Sequence, residues 1–283
     1  MDRPCHCANC SCSDLPPVEL KLITLNISGP SLVRAADLEK YLIGLDPDVI
    51  VLTETRSNPG THQLIESFRE LGFEVVAPMP SSSGERGVAI LHRWAAASLP
   101  VFPTVTLDHR IVALDVDCPL GLRLLGVYVP SRDASAAKVE RKQTFLKQMQ
   151  ALLQDTIATS DILVLGDFNV IGRNHMPRYS NFKAWEYESL DSIAKMGLMD
   201  VFAEIHPKVQ AHSWIGRMGA GYRYDYAFAS ESIMNRVIEC AYIHEPREAG
   251  ITDHAGLFMK IAGTTRPSTV FSERPNSTES ILV

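Results

Sequence analysis

An uninterrupted apolar run, short enough to be a strand and ended by charge, constrains this chain more than any other feature. Ile162-Leu163-Val164-Leu165 lies between Asp161 and Gly166, and that glycine opens Gly166-Asp167-Phe168-Asn169. A run apolar at every position reads as a strand buried on both faces. Its end sets a carboxylate (Asp167) and an amide (Asn169) close together at a sheet edge, where a hard cation or phosphate-bound water can be held. A second run echoes it: Asp48-Val49-Ile50-Val51-Leu52 leads to Glu54 as the Asp161 run leads to Asp167. The echo predicts two similar sheets facing each other, each delivering one carboxylate to a shared edge. Chance likeness between two buried strands is the alternative.

Other elements follow from periodicity. Leu20–Ile27 reads as the first strand, with Asn26 near its end, and is closed by Ser28-Gly29-Pro30. Residues 32–44 read as a helix burying Leu38, Tyr41, Leu42 and Leu45, and residues 61–71 as one burying Leu64, Ile65, Phe68 and Leu71. Strands are predicted near 73–78, 86–92, 110–116 and 122–128. A long helix over 135–156 turns Val139, Leu146, Met149 and Leu153 inward and leaves Lys138, Arg141, Lys142 and Lys147 on solvated outer faces. After Asn169 the chain is polar and irregular to Lys183, carrying Arg173, His175, Arg178 and Tyr179; such a loop is expected to reach over a substrate. A helix near 186–196 and strands near 211–215, 222–229 and 237–243 lead to a last strand after Asp253-His254.

The chain has 283 residues, 46% of them hydrophobic and 21% charged, which fits one large α/β domain or two small ones. No apolar stretch approaches the roughly 20 residues of a membrane helix, and residues 1–18 lack the order of a signal peptide. A cytoplasmic protein with no membrane association and no obligatory protein partner is expected. A net charge of −6 supplies no global basic field for nucleic acid, while leaving room for a local basic rim. Cys5, Cys7, Cys10 and Cys12 crowd the leader, where a soft-metal site competes with a disordered, redox-labile tail as the reading. Cys118 and Cys240, in apolar surroundings, read as buried thiols. The expected organisation is a disordered leader over 1–18, a catalytic domain over 19–262 and a disordered tail over 263–283.

Polar groups at strand ends make one constellation: Asn26, Glu54, Tyr128, Asp167, Asn169, Asp225, Asp253 and His254. Rich in oxygen and lacking a thiolate, the set suits Mg²⁺ or Mn²⁺ rather than structural zinc. Such a cation neutralises charge on a phosphate while a carboxylate orients or deprotonates water.

Leu25-Asn26-Ile27-Ser28-Gly29, Thr53-Glu54-Thr55, Tyr128-Val129-Pro130, Gly166-Asp167-Phe168-Asn169, Arg223-Tyr224-Asp225-Tyr226 and Thr252-Asp253-His254 occur in that order. In this the chain resembles the endonuclease/exonuclease/phosphatase superfamily from about residue 20 to 261. Gly197–Phe202, His206-Pro207, Ser213-Trp214 and Arg223-x-Asp225 resemble its exonuclease III and abasic-endonuclease branch. The resemblance implies an α/β (α+β) four-layer sandwich of two packed mixed β-sheets flanked by helices. It implies that Glu54 is the principal metal ligand, with Asp253 and Asn26 near the metal, and that Asp167 activates water. It further implies that Asn26 and Asn169 hold water or phosphate oxygens, that His254, oriented by Asp225, binds the scissile phosphate, and that Tyr128 donates to it. Ser131, Trp214, Arg223 and Arg178 are the candidate substrate contacts.

Three departures stand out. Ser131 occupies the place of a usual amide, and Ser28 that of a frequent acid; the segment between Asn169 and Trp185 is also short. The implied activity is Mg²⁺-dependent phosphodiester hydrolysis on DNA, exonucleolytic or at abasic sites. The alternative is a phosphatase or phosphodiesterase acting on a nucleotide or other small phosphate ester, and a third reading is a non-catalytic binding module on the same fold.

Overall fold

The computed structural model describes residues 19–80, 82, 84–101, 105–118 and 120–263. The Cys5–Cys12 cluster and the tail from Thr264 lie outside the described residues. In chain order the elements are β1 (Glu19–Asn26), α1 (Leu32–Leu45), β2 (Val49–Thr55), α2 (Pro59–Glu70), β3 (Glu74–Val76), β4 (Gly87–His92) and β5 (Ala96–Ser98). Then come β6 (Ile111–Val116), β7 (Leu122–Tyr128), α3 (Ala136–Ile157), β8 (Ile162–Asp167), α4 (Ala184–Lys195), β9 (Met199–Asp200) and α5 (Val201–Ile205). The last are β10 (Trp214–Ile215), β11 (Gly221–Tyr222), β12 (Asp225–Ala229), α6 (Glu231–Met234), β13 (Val237–Ile243), α7 (Glu245–Glu248) and β14 (Gly256–Ala262).

Two six-stranded sheets result, ordered β13-β14-β1-β2-β4-β3 and β5-β6-β7-β8-β12-β9. Each is mixed, with one parallel pair at its centre: β1 with β2, joined through α1, and β7 with β8, joined through α3. The echo between the two apolar runs thus has a structural counterpart, since each run is the second strand of a central β-α-β unit. Alternation explains why both are apolar throughout. Val49 and Val51 face the core between the sheets with Leu163 and Leu165, while Ile50 and Leu52 pack under Leu38, Leu42, Leu64 and Phe68 of α1 and α2. Ile162 and Val164 pack under Phe145, Leu146, Met149 and Leu153 of α3 and Leu190 and Ile193 of α4. Helices, sheet, sheet and helices make four layers, each sheet apolar on both faces because both are covered.

Local expectations fail where sequence period and tertiary packing part. Leu71 caps α2 and is half exposed, beyond the turn that Phe68 buries. Lys142, expected on a solvated face, is buried, because it lies on the same stripe of α3 as Leu146, Met149 and Leu153. The strand expected over 222–229 is broken at Arg223-Tyr224, so β11 pairs with β10 as a separate ribbon while β12 joins the second sheet. The strand expected over 211–215 is reduced to β10. Cys118 and Cys240 are buried free thiols, and burial pushes the Cys240 thiol up to about 12. Among the described residues no helix is long and apolar enough to cross a membrane.

Gly166 is a position where only glycine fits. Its φ is +146°, and a Cβ there would lie 1.9 Å from the Val127 carbonyl oxygen on the neighbouring strand. Gly166→Ala is expected to destabilise the protein by at least about 2 kcal/mol in urea unfolding, because backbone rather than a movable side chain must give way. Gly197→Ala, at φ +87° with nothing within 4 Å, carries only the backbone strain and should cost about 1 kcal/mol.

Candidate active site

Strand register brings the site together. Tyr128 lies opposite Asp167 across β7 and β8, and Asp225 lies opposite Asp167 across β12 and β8, so three adjacent strands end their polar positions at one level. In the facing sheet Asn26 lies opposite Thr53, one residue before Glu54. The pairing of β2 with β4 shifts between Thr53 and Thr55, and Glu54 occupies that irregularity with φ +58°. Ser28 and Asn169 also have left-handed backbone, each with φ +49°. Three non-glycine residues in this region within one strand-end cluster are a concentration of strain typical of functional sites.

Asp167 is the hub. Its Oδ2 accepts from Asn26 Nδ2 at 2.9 Å and from Asn169 Nδ2 at 3.3 Å, and its Oδ1 accepts from the Asn169 backbone N–H at 2.8 Å. Asn169 Nδ2 also donates to the Val129 carbonyl at 3.0 Å, and Asn26 Oδ1 accepts from the Ser28 N–H at 2.9 Å. Beside this hub, Asp225 Oδ2 lies 2.7 Å from His254 Nδ1, with both residues buried. Burial would lower the His254 pKa, but the Asp225 charge and hydrogen bond outweigh it and raise it. Asp167 is shifted up, first by burial and then by the Asp225 charge. The imidazolium therefore suits an anion, and the carboxylate is a stronger proton acceptor than an ordinary aspartate.

The other expected site residues fall into two groups. Glu54, Asp253 and Tyr128 join the cluster: Tyr128 OH donates to Glu54 Oε1 at 3.1 Å, and Trp214 Nε1 donates to Asp253 Oδ2 at 3.0 Å. Tyr128 was expected to donate to phosphate; its hydroxyl here is engaged by the carboxylate. Trp214 heads a wall of rings: Tyr222 and Tyr224 stack at 5.2 Å, Tyr179 and Tyr222 at 4.3 Å, and Trp214 leans on Tyr224 at 5.9 Å. Ser131 and Arg178 are solvent-exposed on loops. Arg223, expected to bind substrate, is instead a structural residue. Its guanidinium donates to both oxygens of Asp200 and to Tyr242 OH, and lies 4.5 Å over the Tyr226 ring, so its donors are directed into the protein.

The fit to a divalent cation rests on the carboxylates. Asp167 and Asp225 lie in one cluster with His254, ligand atoms of the three being within 4.8 Å of one another, and with the ring held by Asp225 the carboxylate oxygens are the donors left for a metal. Asp225 Oδ1 is buried with no hydrogen-bond partner, as expected of an oxygen reserved for something the protein itself does not supply. The oxygen-rich set, with Glu54 and Asp253 nearby, fits a hard divalent cation.

Two further residues support the site. Arg86 pairs with Glu54 Oε2 at 2.6 Å, and no spacing in the sequence marks it. Lys142 Nζ donates to the Asn169 carbonyl at 2.8 Å and to Glu186 Oε1 at 2.7 Å, while Arg132 also reaches Glu186. Burial raises the Glu186 pKa, but Arg132 and Lys142 together bring it below the usual range. The helical stripe that buries Lys142 was readable in the sequence, and a lysine on it signals a buried acid partner.

A model of the Endonuclease/Exonuclease/phosphatase family matches residues 23–254. The DNA-(apurinic or apyrimidinic site) endonuclease of Dictyostelium discoideum is 23% identical over 249 residues, covering 79% of this chain and 67% of that protein. Among solved structures, an AP endonuclease from Archaeoglobus fulgidus superposes with a TM-score of 0.72 at 23% identity, covering 85% of this chain and 98% of that one. A 3'-5' exonuclease from Neisseria meningitidis superposes with a TM-score of 0.74 at 21% identity, covering 86% and 100%. A Neisseria 3' phosphatase bound to a product DNA hairpin superposes at 0.73 with 21% identity, covering 86% and 99%. At these identities the structural likeness is one of fold.

Lys142 allows stability and site geometry to be separated. Lys142→Met leaves Glu186 buried beside Arg132 alone and is expected to cost about 3–5 kcal/mol. Lys142→Met combined with Glu186→Leu should recover much of that loss in chemical unfolding. Neither variant holds the Asn169 carbonyl, so phosphoester hydrolysis should stay low in both.

Proposed function

The chain belongs to the Endonuclease/Exonuclease/phosphatase family, and we propose that within it the protein is a Mg²⁺-dependent phosphodiesterase acting on DNA, as an exonuclease or at abasic sites. The observation that carries the DNA reading is the aromatic wall of Trp214, Tyr222, Tyr224 and Tyr179, tied to the catalytic cluster by the Trp214–Asp253 hydrogen bond. Flat rings beside a phosphate site suit the sugars and bases of a nucleic acid, which stack on aromatic faces. What the similar proteins are named for, abasic-site cleavage and 3'-5' exonuclease action, supports the same reading.

In the proposed mechanism the oxygen of water attacks phosphorus, one water proton passes to Asp167, the phosphorus–oxygen ester bond breaks, and the leaving oxygen takes a proton from solvent. Asn26 and Asn169 fix the Asp167 carboxylate by the bonds they make to it. His254, held through Nδ1 by Asp225, presents its other ring nitrogen to a non-bridging phosphate oxygen. Glu54 and Asp253, with Asp225 Oδ1, are the groups proposed to hold Mg²⁺, and Asn26 lies beside them through its bond to Asp167. The bound cation supplies charge neutralisation at the phosphate.

A second reading, hydrolysis of a nucleotide or other small phosphate ester, is favoured by the exposed Ser131 and the net charge of −6, which offer little grip on a long polyanion.

Incubation with labelled DNA, both intact and carrying one abasic site, checks these proposals. Cleavage is expected with Mg²⁺, loss with chelator, and return on adding Mg²⁺ or Mn²⁺. Asp167→Asn and His254→Ala should each lower kcat by about 10²–10⁴-fold, the ordinary range for a general base and for a charge-stabilising group. Hydrolysis of small esters with no DNA cleavage at any enzyme concentration would replace the first reading with the second.

A further inference from the structure

Arg86 is the arginine that, among the described residues, forms an ion pair with a carboxylate of the cluster. The same irregularity that turns out Glu54 also places Arg86. Glu54 lies in the shift between Thr53 and Thr55, and Arg86 immediately precedes Gly87, the partner of Thr55, so the two side chains meet diagonally across the irregularity. The Glu54 side chain is 12% exposed and that of Arg86 32%, so the carboxylate is enclosed while the guanidinium remains reachable. Glu54's second oxygen is held by Tyr128 OH. The carboxylate is therefore anchored on one oxygen and neutralised on the other by a flexible cation.

A guanidinium and a divalent cation would compete for the same negative charge and, both beside Glu54, would repel each other. A phosphate close by resolves the conflict, because a planar guanidinium binds phosphate oxygens through paired N–H donors. We propose that Arg86 is an exchangeable counter-ion: it holds Glu54 before the metal binds, then turns to the substrate's phosphate as the metal takes its place. Metal and phosphate binding are then coupled through one side chain, each strengthening the other by the same factor. Its consequence is selectivity: the metal is held loosely until a phosphate arrives. This inference rests on the reading of Glu54 as a metal ligand.

Calorimetric titration of Mg²⁺ into the protein, with and without deoxythymidine 5'-monophosphate, tests it without turnover. In the wild type the nucleotide should tighten Mg²⁺ binding at least about fivefold, within the usual range of site-to-site coupling. Arg86→Gln should bind Mg²⁺ alone roughly tenfold more tightly, since a neighbouring positive charge is gone, and the gain from nucleotide should shrink towards none. Arg86→Lys keeps the charge without the fork, so it should keep the weak binding of metal alone and lose most of the gain. Unchanged Mg²⁺ affinity in Arg86→Gln, or an undiminished nucleotide gain in either variant, would overturn the proposal. Should Arg86→Gln prove unfolded by circular dichroism, Arg86→Lys decides alone, by whether it retains the gain. Coupling in a wild-type protein that cleaves no DNA would remove the nuclease reading and leave this one standing.

Discussion

The hydrogen bond from Asn26 to Asp167 is the contact on which the rest of the site depends. It runs from the end of a central strand of one sheet to the end of a central strand of the other, at 2.9 Å and wholly buried. Packing of the two sheets is driven by the apolar layer between them, which is non-directional and would tolerate small sliding. A buried amide–carboxylate bond does not tolerate it, because a misplaced Asp167 would lose a partner in a place where water cannot replace it. The core thus brings the sheets together, and this bond, with those from Asn169, fixes where they stop.

The same logic extends outward. Asn169 bonds Asp167 through both its backbone and its side chain from a left-handed conformation, and its carbonyl accepts from the Lys142 ammonium. Lys142 is in turn tolerated in the interior because Glu186 balances it. Along this line the Asn169 carbonyl is met by Lys142, Lys142 by Glu186, and Glu186 by Arg132.

Much of this was legible beforehand because the strands that carry the site are apolar on both faces. Such runs are unmistakable, and each leads to a polar residue that the structure brings into the cluster: Asn26, Glu54, Tyr128 and Asp167. Asp225 and His254 were legible through the order of motifs. What escaped were groups whose role depends on a partner distant in sequence. Arg223 sits beside Asp225 in the chain and so looked like a site residue, yet its side chain turns to Asp200. Lys142 looked solvated because lysine usually is. Arg86 carries no mark in the sequence, because nothing in the residues leading into β4 shows that it meets a glutamate from β2. Backbone pattern is local and survives in the sequence; the pairing of charges is not.

The register that sets Tyr128, Asp167 and Asp225 level also bears on when the cluster can form as the chain is made. Asn26 comes from the first strand and His254 from the turn before the last, so the cluster draws on both ends of the folded domain. A chain that has not yet delivered β14 lacks the strand that joins β13 to β1, and with it the anchored imidazole at Asp225. Because strand side chains alternate with a period of two, a one-residue slip in either pairing would turn these groups away from one another. The cluster is therefore complete only once the last strand docks.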